Sequence, residues 1–147
     1  AGYKVVGVKA TLYDGSYHPV DSKEIAFKSA AHIAYKVGMP KAKPVILEPI
    51  VELRVMVPDD YTGTVIGDLT KRRGTIMGQD AQGRMQVIDA EVPQSEVMTY
   101  STELRAMTQG IGTYTQKFVR YDVAPKPVEE KVIAAAKAEE EANQDKK

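Results

Sequence analysis

One pattern occurs twice in this chain and restricts its fold more than any other feature. A β-rich run, Leu47–Val57, ends in Pro58-Asp59-Asp60 and enters a segment with apolar residues at Tyr61, Val65, Ile66 and Leu69, before Gly74. A second β-rich run, Met85–Val92, ends in Pro93-Gln94-Ser95 and enters a segment with Val97, Tyr100, Leu104 and Met107, before Gly110. Apolar residues three and four apart share one face of a helix, and a glycine beyond the last of them is a stop signal. Each half therefore predicts a strand, a Val-Pro step, a helix and a glycine. Between the halves, Thr75–Asp80 turns through Ala81-Gln82-Gly83 into Met85–Val92 as a hairpin, and a last strand runs from about Gly112 to Tyr121. The order β-α-β-β-α-β is the split βαβ or ferredoxin-like arrangement, an α+β domain filling residues 45–124 with short connections.

The flanks read differently. Residues 3–13 are β-rich and lead into the turn cluster Asp14-Gly15-Ser16. Asp21 then reads as a helix N-cap with Glu24 three positions on, a capping box, and Val20 with Ile25 as a hydrophobic staple. Ile25, Ala26, Ala30, Ile33, Ala34 and Val37 form one apolar stripe, which Gly38 and Pro40 should end. Strand, loop and helix over residues 1–42 are too little to close a core and look like half a domain. Lys41-Ala42-Lys43-Pro44 is the expected linker, and residues 43–125 form the central domain. Residues 126–147 are a tail of Ala, Glu and Lys, with high helix propensity over 128–141 and an end, Glu139–Lys147, expected to fray.

Catalysis finds no footing. The chain has no GxxxxGK[ST] phosphate loop, no GxGxxG, no HExxH and no GxSxG. Its two histidines have no partners at metal-ligand spacing, so neither a catalytic group nor a metal site is assigned. Asp59-Asp60 stand where a helix N-terminus favours negative charge, which accounts for them without acid–base chemistry. Lysine plus arginine and aspartate plus glutamate are equal at 20 each. A free-standing nucleic-acid binder is usually strongly basic, so any RNA contact here rests on local patches within a larger body. No apolar run approaches the roughly 20 residues of a membrane span. The opening Ala1-Gly2-Tyr3-Lys4 lacks a signal-peptide layout, and its missing initiator Met suggests trimming. The absence of cysteine fits a reducing, cytoplasmic setting.

Four features remain as candidates, each with a plainer alternative. Ser16, Tyr17, His18 and Pro19 lie in a loop between the first predicted strand and the predicted helix, where Tyr17 and His18 could stack on RNA bases. An ordinary exposed turn would read the same way. Arg72 and Arg73 could grip phosphate with their guanidinium forks, or simply close a solvated helix end. In Ser95–Thr108 the stripe Val97, Tyr100, Leu104 and Met107 reads as core, and the polar face of Ser101, Arg105 and Thr108 could meet RNA or nothing. Gly63 and Gly67 read as sites of close helix-on-sheet packing, and His32 as a helix-edge residue without a role.

At this point the residues resemble a known family. The run DGSYHPVDSKEIAFKSAAHIAYK is similar to the late part of the fourth domain of the elongation factor G family. ILEPIVELRVMVPDDYTGTVIGDLTKRRGTIMGQD and EVPQSEVMTYSTELRAMTQGIGTYTQKFVRYD are similar to the two halves of its fifth domain. The resemblance covers nearly everything from Val5 to Ala124. It implies that residues 1–42 are a partial ribosomal-protein-S5-like β-loop-α segment whose tip enters the decoding region of the small subunit, beside tRNA and mRNA. The family's tip histidine falls on His18. It further implies that the ferredoxin-like domain lies on the large subunit near the sarcin–ricin loop; on that placement, the chemistry of Arg72, Arg73, Ser101 and Arg105 makes them the rRNA-contact candidates. The implied partners are the rRNA of both subunits, the tRNA–mRNA pair at the A site, and the rest of a longer parent chain, with no membrane.

The same resemblance places GTP and Mg in the GTPase module of the full-length family, so this stretch is expected to need no cofactor and to be no enzyme by itself. Where the family commonly reads SEMFGYATDLRSMTQGRG, this chain has Met98-Thr99 for the Phe-Gly pair and Ile111 before Gly112, which points to a divergent paralogue. Two other functions stay open on the sequence: a ribosome recycling or protection factor, and a standalone ferredoxin-like ligand-binding module.

Overall fold

The structure, a computed structural model, describes residues 2–144. The chain divides into two compact units, one of Ile46–Ala124 and one made of the stretches on either side.

In the central unit, β1 (Leu47–Pro58) leads through a 3₁₀ turn (Asp59–Tyr61) into α2 (Thr62–Lys71), where α1 denotes the earlier helix Glu24–Lys41. The hairpin β2 (Thr75–Gln82) and β3 (Met85–Pro93) follows, then a 3₁₀ turn (Gln94–Val97), α3 (Tyr100–Met107) and β4 (Thr113–Val123). The sheet order is β2-β3-β1-β4 and every neighbouring pair is antiparallel. This is the predicted ferredoxin-like βαββαβ topology, with β3 inserted between β1 and β2. Val51, Leu53, Val55 and Val57 of β1 and Ile88, Ala90 and Val92 of β3 point to one face. There they meet Val65 and Leu69 of α2 and Val97, Tyr100 and Leu104 at α3, all with at most 3% of their surface exposed. Burial of each large aliphatic side chain contributes about 1.5–3 kcal/mol. Both edge strands carry an irregularity: Val119 of β4 and Met77 of β2 are left without Cα partners where the registers shift. Bulges of this kind bend an edge strand and discourage further pairing.

Both central helices end as their glycines predict, with a left-handed residue already one position before each glycine and Gly110 itself left-handed (φ 85°). Arg73 has φ 61° and Gln109 φ 53°. Gly74 then donates its N–H to the Leu69 carbonyl (2.8 Å) and Gly110 to that of Arg105 (2.8 Å), closing each helix in a Schellman-type turn. Gly74 is required by space: a Cβ there would lie 2.6 Å from the Leu69 carbonyl oxygen and 3.0 Å from Val92. Gly63 and Gly67 behave otherwise than expected. A Cβ at either would meet nothing within 4 Å, so they face open space and mark no close packing.

The flanking unit corrects several expectations. Residues 3–13 form no strand, because a lone β-rich segment has no ladder partner to take its backbone groups, and water takes them instead. The capping box does not form: α1 starts at Glu24 behind Lys23, and no side chain caps it. Val20 and Ile25, the expected staple, are both exposed. Gly38 and Pro40 do not stop α1, which continues to Lys41. At the exposed last turn the N–H that Pro40 lacks costs little, because water can serve the freed carbonyl. No residue of α1 is buried. After Pro125, whose carbonyl accepts the N–H of Val128 and of Glu129, α4 (Lys126–Gln144) is helical through much of the stretch expected to fray. Residues 145–147 of that expectation lie outside the described residues.

Candidate nucleic-acid interface

The loop of Ser16–Pro19 is tied down by a few local bonds. Asp14 Oδ1 accepts the Gly15 N–H (2.7 Å). The His18 N–H donates to Ser22 Oγ (2.6 Å), and the Ser22 N–H donates back to the His18 carbonyl (2.9 Å). This reciprocal pair closes a turn around Pro19, whose ring fixes one of its backbone angles. It also shows why the capping box failed: Ser22 and Asp21 serve the turn rather than the helix. The His18 ring stands outward, 70% exposed, with Nδ1 3.4 Å from Asp21 Oδ2, and Tyr17 is 71% exposed. An exposed aromatic ring and an exposed imidazole thus stand side by side in sequence at the start of a closed turn, able to stack on or hydrogen-bond to a partner.

Arg72 and Arg73 are engaged within the protein. Arg72 Nε and Nη2 bond both oxygens of Asp68, at 2.7 and 3.3 Å. Its Nη1 donates to the Glu96 carbonyl (2.7 Å), Nη2 also meets Glu103, and the guanidinium lies 5.4 Å from the centre of the Tyr100 ring. Arg73 forms a fork on Glu48 (2.8 and 2.9 Å) and reaches Glu96 Oε1 (3.2 Å). The hydrogen bond with Glu48, partly offset by burial and reinforced by Glu96, holds the Arg73 guanidinium above its usual pKa. Burial, with the Asp68 charge adding to it, pushes the Tyr100 phenol up. Its hydroxyl is buried without a hydrogen-bond partner. Asp68, four residues before Arg72, was legible as a helix pair. Glu48, Glu96 and Glu103 lie 23 to 31 residues away, so no local spacing announced them.

Of the polar face expected on α3, Ser101 and Arg105 are exposed, and Arg105 forms no ion pair among the described residues. Thr108 departs from that face. It is fully buried, its hydroxyl donating to the Leu104 carbonyl (2.7 Å) and accepting the Gly112 N–H (2.9 Å). On the sheet face away from the helices, Arg54 pairs with Asp89 (3.2 Å) and Arg120 with Glu91 (2.8 Å) and Asp122 (3.0 Å). Arg120 accordingly holds the Glu91 carboxyl below its ordinary value. Among the described residues no group of histidine and carboxylate side chains could hold a metal ion, and no helix is long and apolar enough to cross a membrane.

Known proteins align with both units. The family described as Elongation factor G C-terminus matches residues 45–132, and Elongation factor G, domain IV matches residues 1–43. Elongation factor G of Ureaplasma urealyticum is 53% identical over 135 residues, covering 92% of this chain and 20% of that protein. Elongation factor G of Aquifex pyrophilus is 52% identical over 133 residues, covering 90% and 19%. A crystal structure of a Thermus thermophilus protein superposes with a TM-score of 0.70 at 43% identity, over 82% of this chain and 18% of that one. The chain spans about a fifth of the length of the relatives it matches. With more than half its length matched by one family model and the preceding stretch by a second, in order, the chain belongs to the elongation factor G family.

Proposed function

We propose that this chain is the ribosome-binding C-terminal part of a cytoplasmic translocation factor, and that its work is mechanical. The observation that carries this reading is the Tyr17–His18 tip, two exposed rings on a turn closed by Ser22, within a stretch matched by the family's domain IV. The tip enters the decoding site and keeps the tRNA–mRNA pair from slipping back. The ferredoxin-like unit braces against rRNA through the exposed polar face of α3, where Ser101 and Arg105 make the contacts. Arg72 and Arg73 are assigned to the protein's own ion pairs, because their guanidinium forks are already occupied. GTP and magnesium act in the family's GTPase module, and no chemical step falls to the residues of this chain.

The test is a chimera in which these 147 residues replace the corresponding stretch of a full-length elongation factor G. Single-turnover translocation on programmed ribosomes is expected, together with ribosome-stimulated GTP hydrolysis. A chimera that hydrolyses GTP on ribosomes yet never moves tRNA and mRNA contradicts translocation and favours recycling or protection. A chimera that does not bind ribosomes favours a separate ligand-binding module.

A further inference from the structure

The Arg72 side chain is 17% exposed and touches three separate pieces of the central unit. It bonds Asp68 in its own helix, the Glu96 backbone carbonyl in the 3₁₀ turn, and Glu103 in α3. Glu103 is held from its other side as well, since Thr99 Oγ1 donates to Glu103 Oε1 (2.6 Å). A continuous chain of bonds therefore runs Asp68–Arg72–Glu103–Thr99, with Arg72 also anchoring Glu96 and lying against the Tyr100 ring. Glu96, Thr99, Tyr100 and Glu103 are the residues that set how the chain turns from β3 into α3. Arg73 adds a second tie, from Glu48 at the start of β1 to the Glu96 side chain. Few backbone bonds do this work: α3 is only eight residues long, and no side chain caps its N-terminus.

We infer that Arg72 is a positioning residue: its fork on Asp68, Glu96 and Glu103 fixes the turn at Glu96–Tyr100 and thereby aims the Ser101–Arg105 face of α3 at its RNA partner. The inference rests on the proposed function for its partner, while the clasp itself is a property of the protein alone. A planar fork with five donors at fixed angles holds Asp68, the Glu96 carbonyl and Glu103 together in one geometry, whereas an ammonium offers three freely rotating donors from a single point.

Amide hydrogen exchange on the whole chain compares the unsubstituted protein with Arg72→Lys. Exchange over residues 96–100 is expected to accelerate about tenfold or more, the loss that follows removal of charged hydrogen bonds, while the amides of β1 and β3 keep their protection. Ribosome binding is read with the chimera described above across a salt series. Arg72→Lys should weaken binding about tenfold at every salt concentration without altering the slope of log affinity against log salt. Arg105→Gln should reduce that slope by about one, as loss of a phosphate contact does. If Arg72→Lys reduces the slope by that amount, Arg72 is a direct contact and the positioning role is overturned. Unchanged exchange over 96–100 overturns it equally. If Arg72→Lys does not fold, Thr99→Val removes only the far end of the chain of bonds and should loosen the same five residues; unchanged exchange there overturns the clasp. An unsubstituted chimera that fails to bind ribosomes sinks the proposed function instead, and the exchange comparison still decides whether the clasp exists.

Discussion

Strand β1 and the segment 3–13 are both rich in β-branched and large apolar residues, yet their fates differ. β1 lies between β3 and β4, its register fixed on both sides, and its inward residues are sealed by two helices. The segment 3–13 pairs with nothing among the described residues and its side chains are exposed. The helices differ in the same way. α2 buries Val65 and Leu69, whereas α1 is almost twice as long and buries none. Apolar pattern proposes an element, and a partner surface stabilises it. In the central unit those partners are long-range and internal. In the flanking unit the order of α1, α4 and the turn around Pro19 is held by bonds between residues near in sequence.

Substitutions should separate the two regions. Leu53→Ala removes a fully buried side chain from the centre of β1 and should cost about 2–5 kcal/mol by urea denaturation. Ile33→Ala, on the exposed stripe of α1, should change stability by no more than about 0.5 kcal/mol. Equal costs would break the contrast. A glycine pair sharpens it by sign. Gly74→Ala forces a Cβ to within 2.6 Å of the Leu69 carbonyl oxygen and should destabilise by about 1–3 kcal/mol. Gly38→Ala meets nothing within 4 Å and should favour α1 by roughly 0.5–1 kcal/mol, read as increased helical circular dichroism. The smallest effect is electrostatic. The pairing of Glu91 with Arg120 holds a carboxyl below its ordinary value of 4.5. Its contribution is therefore present above that pH and is lost as pH falls through the folded-state value. Glu91→Gln should flatten that part of the urea-midpoint-against-pH curve, and an unaltered curve would remove the pair from the stability of the sheet.

How far the fold could be read from residues follows the same division. The Val-Pro steps and terminal glycines of the central unit pointed to βαββαβ because each helix stripe there, from Val65 and Leu69 to Tyr100 and Leu104, has a sheet to meet. The strand at 3–13 and the cap at Asp21 were misread because local signals were strong and nothing packed against them. In that loop a competing local turn took Ser22 and Asp21 for itself. Of the site, Tyr17 and His18 were legible as exposed loop residues. The role of Arg72 and Arg73 was not, since their carboxylates at Glu48, Glu96 and Glu103 are brought near only by the sheet. Thr108 was misplaced on the polar face for a related reason: its hydroxyl is satisfied by the Leu104 carbonyl and the Gly112 N–H, which lets a polar residue be fully buried.

In the proposed function the flanking unit acts through the exposed Tyr17–His18 tip, and His18 is where a measurement bears most directly. Single-turnover translocation by the full-length chimera should be compared with and without His18→Ala. Loss of an aromatic or hydrogen-bonding contact to nucleic acid corresponds to about 1–3 kcal/mol, so the translocation rate should fall about tenfold or more while ribosome-stimulated GTP hydrolysis is retained. An unchanged rate would contradict a role for the His18 tip at the decoding site.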